Sequence, residues 1–453
     1  MLHLDALGPT GSYRSRKQET IHDRTGSPVA TLSLVPELYV TRAMQAMHRS
    51  SAVPVDERIA AIARAGHAFA TERVAGQTAD EYQRTVSAVA GMPITVVRQA
   101  TDDIERAAAQ AYRNVHNARP VGAVGDWQDP STRAGRAVWT RRGEVFAVHA
   151  AGNHPAVHQG WLEPLALGYR VAVRPSRREP FTPHRLISAL RAAGFGEDQV
   201  MLLPTDHDAA DEILRLADFG MVYGGDDVVA KYAGNPGILP QGPGRSKILL
   251  TEDIDWTSAL DTIIESISGG GGVGCVNTTA LLVEGDPTPI SAAVADRLAA
   301  LPSLPAHDDR AILPVHTLQA ARQLENHLLK RAAGTKPWLG ETGIVHDLGN
   351  GSAILRPAVH QLDSPLAEQI TAELPFPCVW IAPWTRTDPL TPLHNTLVLT
   401  ALTTDPHLID DLINDPTISN IYLGNHPTNH MHPGLPHDSY LGEFLMRTKA
   451  VLR

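Results

Sequence analysis

Cysteine is nearly absent from this chain, with two among 453 residues, Cys275 and Cys378. Two thiols cannot build a disulfide framework, so a packed core must hold the fold, and a reducing cytoplasm is the expected compartment. Aromatic residues are scarce, at 5%, and nothing marks a phenyl-binding or fatty-acyl tunnel. Charged residues reach only 19%, and 39 basic against 49 acidic side chains give a formal net charge of −10. That balance argues against a general nucleic-acid binder. No run of about 18 apolar residues occurs, and the opening "MLHLDALGPTGSYRSRKQET" lacks a signal-peptide core, so no membrane span is expected. No internal repeat recurs at a fixed period.

What the chain does have is 43% hydrophobic content and length enough for two or three domains. The first 35 residues are polar and turn-rich, with "RTGSPVATLSLV" reading as a short hairpin. From Pro54 to Asn117 the apolar positions recur at helical spacing, as in "VDERIAAIARAGHAFATER". Residues 118–142 are turn-punctuated and strand-rich, and read as a projecting hairpin. Strand and helix then alternate: "GEVFAVHAA" before the helix "PAVHQGWLEPLALG", "RVAVRP" before "TPHRLISALRAAG", "QVMLL" before "DHDAADEILRLA", "FGMVYGG" before "DDVVAKYAG". This order predicts a parallel, doubly wound sheet of the Rossmann type, which binds nucleotides at the carboxyl ends of its strands. A second α/β unit starts near Ser246 with "SKILLTED" and includes "TTALLVE" and "NTLVLTALTT". The expected division is a cofactor-binding domain over 1–243, a catalytic domain over 244–418 and a small β bridging or oligomerisation segment over 419–453.

Cys275 stands in "SISGGGGVGCVNTTALLVEGD", behind glycines at 269, 270, 271, 272 and 274. Such a stretch lets a substrate approach the backbone and exposes N–H groups that can hold an oxyanion when sulfur attacks a carbonyl. A structural cysteine beside a flexible loop is the alternative, and position alone leaves both open. In "AAGNHP" the amide of Asn153 follows a strand directly, where its NH₂ can serve an oxyanion or its side-chain oxygen can cap the helix at Pro155.

Taken in order, these motifs resemble the aldehyde dehydrogenase superfamily over nearly the whole chain. "AAGNHP" looks like the family's segment for the oxyanion-hole asparagine, and Cys275 falls at the nucleophile. "VAVRPSRREPFTP" looks like the segment that holds the adenosine side of the cofactor, which carries that role to Arg174, Ser176 and Arg177. "VYGGDD" resembles the turn at the cofactor phosphates, with Gly224 and Gly225. "ELPFP" resembles the motif whose glutamate, here Glu373, holds the nicotinamide ribose.

Two departures matter. Hydrolytic members keep a glutamate 34 residues before the nucleophile, and here Gln241 stands there, which cannot act as a general base toward water. Members lacking that base pass the acyl group to a thiol or reduce a thioester, so the resemblance implies interconversion of an aldehyde with a coenzyme A or carrier-protein thioester. Some likeness to acyl-thioester reductases of the bioluminescence type points the same way. Arg177 replaces the glutamate of NAD-preferring members, and an arginine can pair with a 2′-phosphate, which favours NADP(H) over NAD(H). The competing expectations are a hydrolytic enzyme using Glu252 or Glu265, and a non-catalytic nucleotide-binding relative. His426, His430, His432 and His437 read as a polar loop at the active-site mouth, His154 and His158 as no metal site, and Cys378 as a packed strand cysteine. No metal is expected, nor a nucleic-acid or membrane partner. A homodimer or tetramer is implied by the likeness of 118–142 and the C-terminus to the family's oligomerisation parts.

Overall fold

Short apolar runs flanked by helices become two seven-stranded sheets in the computed structural model, which describes residues 1–432 and 434–453. The first sheet holds five parallel strands in the spatial order Ile238–Gln241, Phe219–Tyr223, Val145–His149, Arg170–Arg174, Val200–Leu202. Ala6–Gly8 and Gly11–Tyr13 extend it antiparallel at one edge. Alternate residues of each strand enter opposite cores, which is why the strands read as continuous apolar runs. Phe146 and Val148 pack with Leu165, Leu186 and Leu190 on one face. Val145 and Ala147 pack with Val40, Met44 and Ile213 on the other.

The second sheet runs Lys336–Leu339, Ala358–Gln361, Cys378–Trp384, Thr278–Glu284, Ser246–Leu250, Thr396–Leu402, Ile418–Leu423, parallel except for the first strand. Cys378 is buried here beside Trp380 and Phe376. The expected division at 418 falls on the first residue of an edge strand of this sheet. The stretch 24–35, read as a whole hairpin, supplies only the turn and the second strand: Pro28–Ser33 pairs antiparallel with Gln18–His22, which precedes it. The helical region forms as Val55–Thr71, Ala79–Ala90 and Ile94–Val115. Thr78 and Glu81 build a capping box at the start of the second helix. No helix among the described residues is long and apolar enough to cross a membrane.

Two expectations fail. Residues 118–142 make no hairpin: Ala123–Val124 and Arg136–Arg141 run parallel, because the 3₁₀ helix Pro130–Ala134 carries the chain back in place of a tight reversal. The antiparallel partner of Arg136–Arg141 is instead the C-terminal strand Met446–Val451, paired over six residues. The single helix read in "PAVHQGWLEPLALG" is broken into a 3₁₀ turn, Pro155–Gln159, and a short helix, Leu162–Leu167. Pro164 has no N–H to give, so it is tolerated only within a first turn.

Candidate active site

Cys275 ends the turn between helix Trp256–Ser268 and strand Thr278–Glu284. Gly270, Gly271 and Gly272 take φ values of 64°, 87° and 67°, a left-handed run that side chains resist. Asn277 ties the turn together. Its Oδ1 accepts from the Gly274 N–H at 2.8 Å, and its Nδ2 donates to the carbonyls of Ser266 at 3.1 Å and Gly269 at 2.9 Å. The Ser246 hydroxyl donates to the Cys275 carbonyl at 2.9 Å. Gly244 packs on that same carbonyl so closely that a Cβ there would lie 1.9 Å from it. The backbone of Cys275 is thus pinned on its sheet side, while the thiol stays half-buried and free of any disulfide.

The Asn153 cap reading is corrected by its neighbour. His154 caps the Pro155–Gln159 turn, its Nδ1 accepting from the Ala156 N–H at 3.2 Å. Asn153 is left to reach the cysteine loop, where its Nδ2 donates to the Val273 carbonyl at 3.3 Å. Asn153, Gly274 and Glu373 line one cavity of about 180 Å³, floored by Thr278, Leu374 and Phe376. The Oε2 of Glu373 accepts from the Arg245 N–H at 3.0 Å. Burial pushes the Glu373 carboxyl up, and the N–H groups of Arg245 and Gly244 partly oppose it.

His437, expected in a polar loop at the active-site mouth, stands against the thiol itself, a contact the sequence did not disclose. Its Nε2 lies 3.6 Å from the Cys275 Sγ, and its Nδ1 lies 2.9 Å from the Asp438 carboxylate. The Asn420 amide donates to the His437 carbonyl. Burial works to lower the imidazole's pKa, but Asp438 and Cys275 outweigh it and raise it well above the ordinary value. Tyr223 faces the same group, and desolvation together with Cys275 and Asp438 holds its hydroxyl protonated. The adjacent "HD" pair was the one local sign of this dyad. A separation of 162 residues from Cys275 hid the contact.

Apart from Glu373, the residues expected at the cofactor lie at or just beyond the carboxyl ends of two strands of the first sheet, Arg170–Arg174 and Phe219–Tyr223. Gly224 lets its turn close on Val228, where a Cβ would come within 2.5 Å, and Gly225 borders open space before helix Asp226–Tyr232. Ser176 presses on Gly152, next to Asn153, and its Oγ accepts from the Arg178 N–H at 3.2 Å. The two arginines are already engaged. Arg174 donates from Nε to the Thr205 hydroxyl at 3.1 Å, and Arg177 pairs with Glu19 of the N-terminal hairpin at 2.9 Å.

Gln241 is fixed through its backbone, its carbonyl accepting from the Gly224 N–H at 3.0 Å, three residues before Gly244 meets Cys275. Of the two carboxylates named as substitutes, Glu252 lies beyond the far end of strand Ser246–Leu250, whose first residue bonds Cys275. At about 3.3 Å per residue, six residues of strand and turn carry it well away from the sulfur. Glu265 is bonded by the Asn429 amide at 3.2 Å.

A cavity bearing one carboxylate, with Ile267, Leu374, Pro375 and Phe376 among its lining, fits a nicotinamide with its ribose, since Glu373 can accept from ribose hydroxyls and the apolar side chains can pack on the ring. The adenosine end fits less directly, because its cations already hold partners within the chain.

A sequence model of the aldehyde dehydrogenase family matches residues 12–399, and the chain belongs to that family. The family uses NAD(P). Among curated proteins, an aldehyde-dehydrogenase-like protein of Sinorhizobium fredii is 24% identical over 128 residues, 27% of this chain and 25% of that one. The match therefore spans a quarter of that relative's length. The indole-3-acetaldehyde dehydrogenase of P. syringae, solved with NAD⁺ and IAA, superposes with a TM-score of 0.83 at 15% identity, covering 99% of this chain and 96% of that one. A glyceraldehyde-3-phosphate dehydrogenase of Methanocaldococcus jannaschii, solved with NADP, gives 0.80 at 14% identity, covering 96% and 99%. At such identities the likeness establishes the fold: a cofactor-binding domain joined to a catalytic domain.

Proposed function

We propose that the chain is an NAD(P)-dependent oxidoreductase that interconverts an aldehyde and an acyl thioester through an acyl-enzyme on Cys275. The observation that carries this is that Asn153 and Glu373 line one cavity with Val273 and Gly274, the two residues that lead into Cys275, with the Asn153 amide 3.3 Å from the carbonyl of Val273. Sγ bonds the carbonyl carbon, and the displaced electron pair becomes an oxyanion held by the Asn153 amide and the Cys275 N–H. Glu373 would accept from the ribose hydroxyls and so hold the nicotinamide in the cavity it lines. When bound, the nicotinamide supplies hydride exchange at that carbon.

Gln241 carries no carboxylate, so acceptance of the acyl group falls to a thiol, either coenzyme A or a carrier-protein arm. Arg177 and Arg178 favour NADP(H), provided that Glu19 yields Arg177 to the 2′-phosphate. Met446–Val451 forms an edge of a small three-stranded sheet, and an edge strand can pair with a second copy, which supports assembly as a homodimer or larger; the scarcity of cysteine supports a cytoplasmic location.

The test is incubation of the purified chain with aldehyde and NADP⁺, with and without coenzyme A, following both reduced cofactor and product. A thioester formed only with the thiol is the expected result. Free acid produced at a comparable rate without thiol overturns the thioester reading and leaves the hydrolytic one.

A further inference from the structure

We propose that His437, oriented by Asp438, is a catalytic proton carrier for Cys275, and that these three residues form the acyl-transfer machinery of the site. The inference rests on the reading of Cys275 as the nucleophile. The geometry has the parts of a nucleophile–base–orienter set: sulfur to Nε2 at 3.6 Å, and Nδ1 to the Asp438 carboxylate at 2.9 Å. A carboxylate on Nδ1 fixes the ring's orientation and steadies the imidazolium, so that Nε2 takes up the thiol proton and holds it beside the sulfur. The Asn420 amide anchors the same residue by its backbone. The imidazole is not sealed away, since 38% of its side chain reaches solvent and an incoming acceptor can meet it. Cys275 and Asp438 are the titratable groups acting on it, and Tyr223 in turn lies within reach of those two.

The proton accounts close without an added oxidant or reductant. As the Cys275 sulfur bonds the carbonyl carbon of an activated ester, its proton passes to Nε2 and then to the departing alkoxide, phenoxide or thiolate. In the return step an acceptor thiol gives its proton to Nε2 and its sulfur bonds the acyl carbon. The C–S bond to Cys275 then breaks with its electron pair, and the Cys275 sulfur takes the proton back. His437 thus does for a thiol acceptor what Gln241 cannot do for water.

The test needs no nicotinamide. The purified chain is mixed with p-nitrophenyl acetate, the release of p-nitrophenol is followed as a burst, and intact mass shows the acetyl group on the protein. Cys275→Ser is the control that assigns the adduct. We expect His437→Gln to slow the burst about 100-fold and to flatten its dependence on pH, with free imidazole restoring part of the rate. Asp438 is a positioning residue, so Asp438→Asn should slow the burst about tenfold and Asp438→Glu should recover most of it. The thermal midpoint of each variant shows that it folds, and the two sites give independent variants. An unaltered burst rate and pH profile in folded His437→Gln overturns the role of His437 alone. A wild-type protein that forms no adduct on Cys275 overturns the nucleophile reading and this inference with it.

Discussion

The two ends of the cleft differ in what their polar groups are free to do. Around Cys275 the hydrogen bonds are spent on the backbone. Asn277, Ser246 and Gly244 fix the main chain, and the thiol is left facing a histidine. At the end proposed for the adenosine the side chains themselves are spent, with Arg177 on Glu19 and Arg174 on Thr205. A residue at a motif position is thus available for chemistry only when something else holds its neighbours. Arginines carry their own partners into the fold, whereas the cysteine does not.

The strongest way to break this comparison is Cys275→Ala, which should lower aldehyde turnover by roughly 10⁴-fold or more in a steady-state assay while leaving the thermal midpoint unchanged. Next comes Asn153→Ala. If its amide holds the oxyanion, kcat falls on the order of 10²-fold with little change in KM, and an effect on KM alone would return Asn153 to a structural role. Glu19→Gln probes the other end. Freed of its partner, Arg177 should raise the NADP⁺-to-NAD⁺ ratio of kcat/KM roughly tenfold.

Gly244→Ala addresses stability, because its Cβ would meet the Cys275 carbonyl at 1.9 Å. It should cost about 1–3 kcal/mol in denaturant melts and disturb thiol labelling together with stability. The smallest effect is on pH. A histidine raised above its unfolded value contributes stability that is complete below that value, about 6.5, and lost as pH rises through the folded one. The gap in melting temperature between wild type and His437→Gln should therefore be widest in mild acid and close toward alkaline pH.

Much of the fold was legible along the chain. Strand–helix alternation and apolar runs such as "VFAVH" carry the parallel sheets, since burial on both faces demands them. The projecting hairpin was misread because strand pairing across 305 residues of separation, Met446 with Arg141 for example, leaves no local sign. At the site, the glycines before Cys275 announced themselves through composition. The capping by His154 did not, because asparagine and histidine can both fill that position and only the path of the loop decides between them.

By itself the sequence determined the family, the parallel α/β layers, and the unusual pairing of a rare cysteine with a glutamine 34 residues earlier. These follow from local periodicity and from motifs in order, which need no contact to be read. Only the tertiary structure decided which groups face the thiol and which are already taken. His437 meets Cys275 because the C-terminal segment returns across the second sheet, and Arg177 meets Glu19 because the N-terminal hairpin returns beside the first. A side chain's chemistry is set by what lies within a few ångströms of it, and along this chain those neighbours are more than 150 residues apart.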